Sequence, residues 1–521
     1  MLVAGGGTVS ADLRPGTAWD SLELVRGLLP DLARRARGAL RRQEGIEEQA
    51  SQLPAFVDLV DDVALEVDRP LRVEAGAVPE GLEAVYVAGG WYRTRDRRID
   101  HLLDAYPCLV ELRVGGAGGR VRARRLDDPL FDAEERAGRV LRKGILTMVG
   151  PGAGRVTHVM GRSAMHDAIA WDGRVLLTAQ NRYVTLDEEL RDAARDVLEG
   201  LVTPSSTLQY NMHPQVDPVT GRLVTHTYSI GPTFATSFRF IELDPGGGAR
   251  TRDYQWPGYL VPHAFAFTRG HYLLPAISAR YHEVRFVLGL GRGALDDTRD
   301  EDTGGLVWHV VPRDPAAAPF TVRFRMTGFV YHVTNSWEAD GRLEWDAFVS
   351  NLNPEREASQ FELDTRRPVH TNLGGVFRFS VDLATRRAHK RLLAPGVQRV
   401  TFDAIDESRR GLPYDDAWFC ANDQHEGHSS SVTHLDTRTG RALTWSTPER
   451  VFFRQPRFVA RAGAAQGAQG EGWLLVPAYS LDTTRLLVFE ARRVEAGPVA
   501  VLAADARLPC INHGWAMRAE R

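Results

Sequence analysis

From about residue 55 onward, apolar and polar positions alternate in short runs broken by turn residues. Leu82-Glu83-Ala84-Val85-Tyr86-Val87, residues 173–178, residues 221–228, residues 442–445 and residues 472–477 read as strands. Asp217-Pro218-Val219-Thr220-Gly221, Asp382-Leu383-Ala384-Thr385 and Asp436-Thr437-Arg438-Thr439-Gly440 read as the turns between them. Hairpins follow one another with few interleaved helices, residues 187–201 being the best helical candidate. That grammar predicts an all-β repeat architecture, most simply a β-propeller. About 467 residues would leave roughly 67 for each of seven blades, and periodicity alone leaves six or eight open.

The first 54 residues read differently. Leu22, Val25, Leu29, Leu32, Ala36 and Leu40 recur at helical spacing and make one apolar face, with Pro30 placed to kink it. Arg26, Arg34, Arg35, Arg37, Arg41 and Arg42 make the segment basic. It is expected to be an N-terminal amphipathic helix, residues 1–54 forming an extension and 55–521 the propeller. Such a helix packs on the body of the protein or lies on an anionic membrane surface.

Composition narrows the class. The chain has 521 residues, 43% hydrophobic and 25% charged, with a net charge of −3, so nothing calls for nucleic acid. Lys143 and Lys390 are its only lysines, which we read as genomic codon bias. Cys108, Cys420 and Cys510 form no CxxC and no even framework, as expected in a reducing cytosol. MLVAGGGTVS lacks the basic and apolar regions of a secretory signal, and no apolar run is long enough for a membrane span. A cytoplasmic protein is expected, with peripheral membrane contact through residues 17–50 as the alternative.

Four histidines stand out among 16 by their contexts: His213 in Met212-His213-Pro214-Gln215, His263 in Val261-Pro262-His263-Ala264-Phe265, His332 in Tyr331-His332-Val333-Thr334-Asn335-Ser336-Trp337-Glu338, and His513 in Asn512-His513-Gly514-Trp515. Their spacing excludes a local finger-type zinc site. Segments so far apart share an ion only if the fold sends each toward one point, as the inner strands of a propeller do. Four neutral imidazoles suit iron and leave up to two octahedral positions open.

These segments, in this order, resemble the four histidine motifs of the carotenoid cleavage oxygenases. Val78-Pro79-Glu80-Gly81-Leu82 and Gly472-Trp473-Leu474-Leu475-Val476-Pro477 are similar to flanking landmarks of that family, and the similarity runs from about residue 70 to the C-terminus. The resemblance implies a seven-bladed propeller with a helical or loop cap, Fe(II) on four histidines at the axis, and a hydrophobic tunnel to the metal. It implies cleavage of a C=C bond of an apolar substrate with O2, giving carbonyl products. A carotenoid, apocarotenoid, terpenoid or related secondary metabolite is the expected substrate. A redox-neutral isomerase or lyase using the metal as a Lewis acid, or a non-catalytic binder of hydrophobic ligands, is the alternative.

The chain departs from the family where three glutamates normally accept hydrogen bonds from ligand imidazoles. Those positions read Gln180, Thr401 and Gln455. Gln and Thr can still accept an imidazole N–H, but three negative charges would be lost, and such losses typically cost about 10–100-fold in metal affinity or activity. Relatives that split phenolic stilbenes tend to place a lysine where this chain has Ala179, so a non-phenolic or differently held apolar substrate is expected.

Other candidates read as structural. His425-Glu426-Gly427-His428 is expected in a surface loop, Met165-His166-Asp167 to make a structural hydrogen bond, and Asp415-Asp416 to be a solvated turn. Gly289–Gly293 lacks the context of a dinucleotide fingerprint.

Overall fold

The computed structural model describes residues 63–92, 99, 104–116, 118–142, 167–179, 182–186, 192–203, 208–231, 233, 235–276, 279–281, 298–300, 305–326, 328, 330–350, 374–394, 397, 400–422, 429–449, 451–464, 469–480 and 482–519. The expected N-terminal helix, the 289–293 glycine run, Gln180 and residues 425–428 lie outside them.

Hairpins dominate, as the alternation predicts. Five antiparallel sheets of four or five strands follow one another along the chain, each a meander. The first runs Asp167–Trp171, Arg174–Thr178, Tyr183–Leu186 and Asp192–Asp196. The second is built on Leu223–Ile230, Thr236–Leu243 and Ala249–Trp256, the third on Ala266–Phe267, His271–Pro275, Leu306–Pro312 and Phe320–Phe324. Val333–Ala339 opens the fourth and Val400–Ile405 the fifth. A ten-stranded sheet takes strands from both ends of the described chain: Val67–Gly76 pairs with Ala500–Ala504, and Ala84–Tyr92 pairs with Cys510–Arg518.

Turn chemistry explains the regularity. Asp217 Oδ1 accepts from Val219 N–H at 3.0 Å, and Gly221 closes the turn at φ +70°. Asp436 repeats the device with Arg438 and Thr439 N–H groups, each at 3.0 Å, and Gly440 at φ +79°. An L side chain at that φ is strained, and a Cβ on Gly440 would also lie 2.6 Å from Leu393 O.

The sheets pack face to face in ring order. Leu109 and Val87 meet Leu177 and Val184; Leu176 and Tyr183 meet Leu223 and Ile241; Phe240 meets Phe265 and Tyr272. Trp308 and Phe324 meet Trp345 and Phe379; Val376 and Leu393 meet Phe419 and Leu435; Trp418 meets Leu474 and Phe489, which returns the ring to the ten-stranded sheet. Burying each large side chain contributes about 1.5–3 kcal/mol, so the ring is held by its inter-sheet cores. The opening strands line its middle: Ala266–Phe267 lies against Val333–Ala339, then Val400–Ile405, Arg457–Ala460, Cys510–Arg518 and Asp167–Trp171. The architecture is all-β and propeller-like.

Two expectations need correction, and one helix was not foreseen. Within 187–201 the described residues form the strand Asp192–Asp196 and a turn rather than a helix; pairing of Val184 with Asp196 outweighs local periodicity. The α-helix among the described residues is Pro129–Ala137, started by the Asp128 cap with Pro129 in the first turn and ended by Gly138 at φ +62°. Asp416 is no solvated turn: it lies buried on Asp416–Asn422, 2.7 Å from both His434 Nε2 and Arg492 Nη2.

Candidate metal centre

All four singled-out histidines sit at or just before strands that line the middle of the ring. His213 lies between Gln209–Tyr210 and Gln215–Val216, His263 before Ala266–Phe267, His332 before Val333–Ala339, and His513 within Cys510–Arg518. His513 occupies a bulge: Gly90 pairs with Ile511 but Ala88 with Gly514, so the later strand carries one extra residue there. Bulges re-aim side chains, and this one accompanies the turn of His513 toward the other rings.

Hydrogen bonds tie each histidine segment to its neighbours. Asn211 Oδ1 accepts from His213 N–H at 2.9 Å, and Thr178 donates to Met212 O at 2.7 Å. Gln215 Nε2 donates to Phe265 O at 2.7 Å, linking the His213 and His263 segments. Ser336 donates to Phe267 O at 2.7 Å, and Asn335 donates to Arg409 O and Leu412 O at 3.0 and 2.9 Å. The Asn-Ser pair after His332 therefore joins three successive sheets.

The rings converge. Centroid separations are 5.0 Å for His213–His263, 4.9 Å for His213–His332, 4.5 Å for His213–His513, 5.2 Å for His263–His332 and 4.8 Å for His332–His513. His213, His263 and His332 offer one donor nitrogen each, all within 4.8 Å of one another. His213 Nε2 and His263 Nε2 are 3.2 Å apart. Two imidazole nitrogens bound at about 2.1 Å and at right angles would sit roughly 3 Å apart, so this spacing fits a shared ion. His332 Nε2 is buried without a hydrogen-bond partner, which an apolar core rarely tolerates and a metal would satisfy. Burial lowers His332 and His513 well below the usual imidazole value, aided first by His213 in both cases and also by Arg457. Both rings are therefore held neutral, the form that binds metal.

Two of the clustered rings have polar partners on their other nitrogens. His513 Nδ1 is 3.1 Å from Gln455 Oε1. His213 Nδ1 is 3.2 Å from Asp167 Oδ2. One carboxylate, that of Asp167, therefore stands beside the clustered rings. Thr401 lies on Val400–Ile405, but its side chain is not among those described.

A recess of about 570 Å³, counting its mouth, is lined by His213, His332 and His513 and by Asp403, Glu407, Arg410 and Arg457. Sequence reasoning missed these last four. Arg457 donates to Glu407 and Gln455, both at 2.9 Å, and to Gly514 O, and lies 4.0 Å from Asp167 Oδ1. Burial opposes the Glu407 charge, yet Arg410 and Arg457 hold its carboxyl below the usual range. Burial pushes the Asp403 carboxyl up. The available signal for Arg457 was its place two residues after Gln455, at the start of the strand Arg457–Ala460.

Residues 60–516 match the family described as retinal pigment epithelial membrane protein (RPE65). The chain is 24% identical over 464 residues to the apocarotenoid-15,15'-oxygenase of Synechocystis, covering 85% of this chain and 92% of that protein. It is 25% identical over 334 residues to lignostilbene-α,β-dioxygenase isozyme III of Sphingomonas paucimobilis, covering 59% and 65%. Cobalt-substituted Synechocystis apocarotenoid oxygenase superposes with a TM-score of 0.78 at 20% identity, covering 90% of this chain and 99% of that one.

Proposed function

We propose, from the premise that this chain belongs to the RPE65 and carotenoid cleavage oxygenase family, that it is an Fe(II)-dependent oxygenase that cleaves a C=C bond of an apolar substrate. The observation that carries the reading is the convergence of four imidazoles, with His213 Nε2 and His263 Nε2 3.2 Å apart. His213, His263, His332 and His513 would hold the ion. The ten-stranded sheet reads as two blades sharing an edge at Val67–Gly76, since Leu71 and Val121 pack against Leu486 and Leu502; that makes seven.

The reaction balances without another reductant: the C=C bond breaks, two C=O bonds form, and each fragment keeps one atom of O2. A bound ferrous ion would supply O2 binding and electron donation. The chain's residues supply placement. Gln455 Oε1 accepts the Nδ1 proton of His513, which leaves Nε2 of that ring unprotonated. Ring burial keeps His332 and His513 neutral. Ala179 is buried in an apolar cluster, so that position offers no cation to a phenolate. This favours a non-phenolic or differently held conjugated alkene, such as an apocarotenoid, a terpenoid or a related secondary metabolite. No helix among the described residues is long and apolar enough to cross a membrane; the substrate would be met in solution or collected at a membrane surface by residues 17–50.

Elemental analysis of freshly purified protein, with aerobic and anaerobic product profiles on a polyene panel, tests this. One iron per chain and O2-dependent carbonyl products are expected, and His332→Ala should abolish both. Turnover unchanged without O2 would replace the reading with redox-neutral chemistry.

A further inference from the structure

The partner of His213 makes an inference possible that rests on the four-histidine reading and goes beyond it. Of the expected acceptor positions Gln180, Thr401 and Gln455, the described side chain of Gln455 faces His513 rather than His213. Asp167 faces His213, from the first strand of the neighbouring sheet. Its Oδ2 lies 3.2 Å from His213 Nδ1, and its Oδ1 accepts from Ala168 N–H at 2.8 Å. Arg457 Nη2 lies 4.0 Å from Oδ1. The carboxylate is buried, as is the ring it faces.

We propose that Asp167 is the positioning carboxylate of His213, fixing that ring with Nε2 toward the metal and supplying the negative charge in contact with the histidine cluster. The donor count argues for it. A backbone N–H and an imidazole N–H meet one side chain from two directions, so both of its oxygens must accept. An ionised carboxylate does this. An amide has one oxygen, so Asn at this position must turn its NH2 either on Ala168 N–H or on His213 Nδ1. In the second case Nδ1 becomes the acceptor, the proton moves to Nε2, and that nitrogen no longer binds metal. Asp167 thus keeps anionic charge beside the His213 ring, while Gln455 serves His513 as a neutral acceptor.

The test uses the metal-free full-length protein titrated with Co(II), read by its ligand-field absorption, and the Fe(III)/Fe(II) potential of the iron-loaded protein. Wild type is expected to bind one Co(II) per chain. Asp167→Asn should bind Co(II) about 10-fold more weakly and Asp167→Ala up to about 100-fold. The potential of Asp167→Asn should rise, because a negative charge that favours the ferric state is gone. The unfolding midpoint of the metal-free Asn variant should stay close to that of wild type. Affinity and potential unchanged in Asp167→Asn would overturn the assignment. So would an Asn variant whose metal-free stability collapses while its Co(II) affinity holds, since that marks a purely structural pair. Failure of wild type itself to bind Co(II) would instead remove the four-histidine reading, and this inference with it.

Discussion

The side-chain amide of Gln455 bonds at both ends: Oε1 lies 3.1 Å from His513 Nδ1, and Nε2 donates to Asp403 O at 3.1 Å. The same Oε1 accepts from Arg457 Nη2 at 2.9 Å and from Gly514 N–H at 3.3 Å. A glutamine here is thus matched to its surroundings rather than a worn-down glutamate. The carboxylate it lacks stands one residue further out, as Glu407 on the far side of Arg457.

Gln455→Glu therefore does not simply restore a family-type site. Its second oxygen would face Asp403 O, acceptor against acceptor, with no proton between them. Arg457 offsets part of the new charge but is already shared with Glu407. The substitution should destabilise the metal-free protein by about 1–3 kcal/mol, the cost of a buried group left unsatisfied. Urea unfolding of the metal-free protein measures it, and a variant as stable as wild type would show that the Nε2 bond contributes nothing.

Much of this site was legible before any fold was known. The four clustered histidines were marked by neighbours such as Asn335, which cross-links two segments, and Gly514, which lets two strands approach closely. Gln455 was legible because Pro456 anchors its position. Asp167 was not, since its role depends on the fold bringing it beside a histidine 46 residues away. Arg457, Glu407 and Arg410 were hidden for the same reason: as charges in an arginine-rich chain they look solvated, and only the ring of strands buries them. The helix at Pro129–Ala137 was missed although Asp128, Pro129 and Gly138 announce it, since it is short and its mean pattern is polar.

Acid should unfold the protein through its buried imidazoles. Burial lowers His226 and His309 to about 3 each. His226 is ringed by Phe238, Phe240 and Phe265, at 5.7, 5.7 and 5.2 Å between centroids. The unfolded chain takes up these protons near pH 6.5, whereas the folded chain does so only near pH 3. Between those values the unfolded state binds more protons, so the contribution is fully present above about pH 6.5 and is lost as pH falls toward about 3. His226→Phe removes one such site while keeping an aromatic ring. Its urea midpoint should drop less than that of wild type between about pH 7 and about pH 4.5. An equal drop would mean that His226 is not a source of the acid sensitivity.

Space, not backbone freedom, requires the glycine after His513. A Cβ at Gly514 would lie 2.6 Å from Tyr86 Cε1, 2.7 Å from Val87 O and 2.8 Å from Ala88 Cβ. Two of these atoms belong to backbone or Cβ groups of the paired strand and cannot swing aside. Gly514→Ala must therefore push Cys510–Arg518 away from Ala84–Tyr92 at the bulge that aims His513. Overpacking of this kind costs about 1–3 kcal/mol in stability. The shift also carries the His513 ring away from Gln455 Oε1 and from His213, whose ring centroid lies 4.5 Å away. We expect Gly514→Ala to fold, by its circular dichroism, with a lowered unfolding midpoint and Co(II) affinity reduced at least about 10-fold, the scale seen when a ligand loses its hydrogen-bonded support. Wild-type affinity in a folded Gly514→Ala protein would mean that the close approach of the two strands does not set the position of His513.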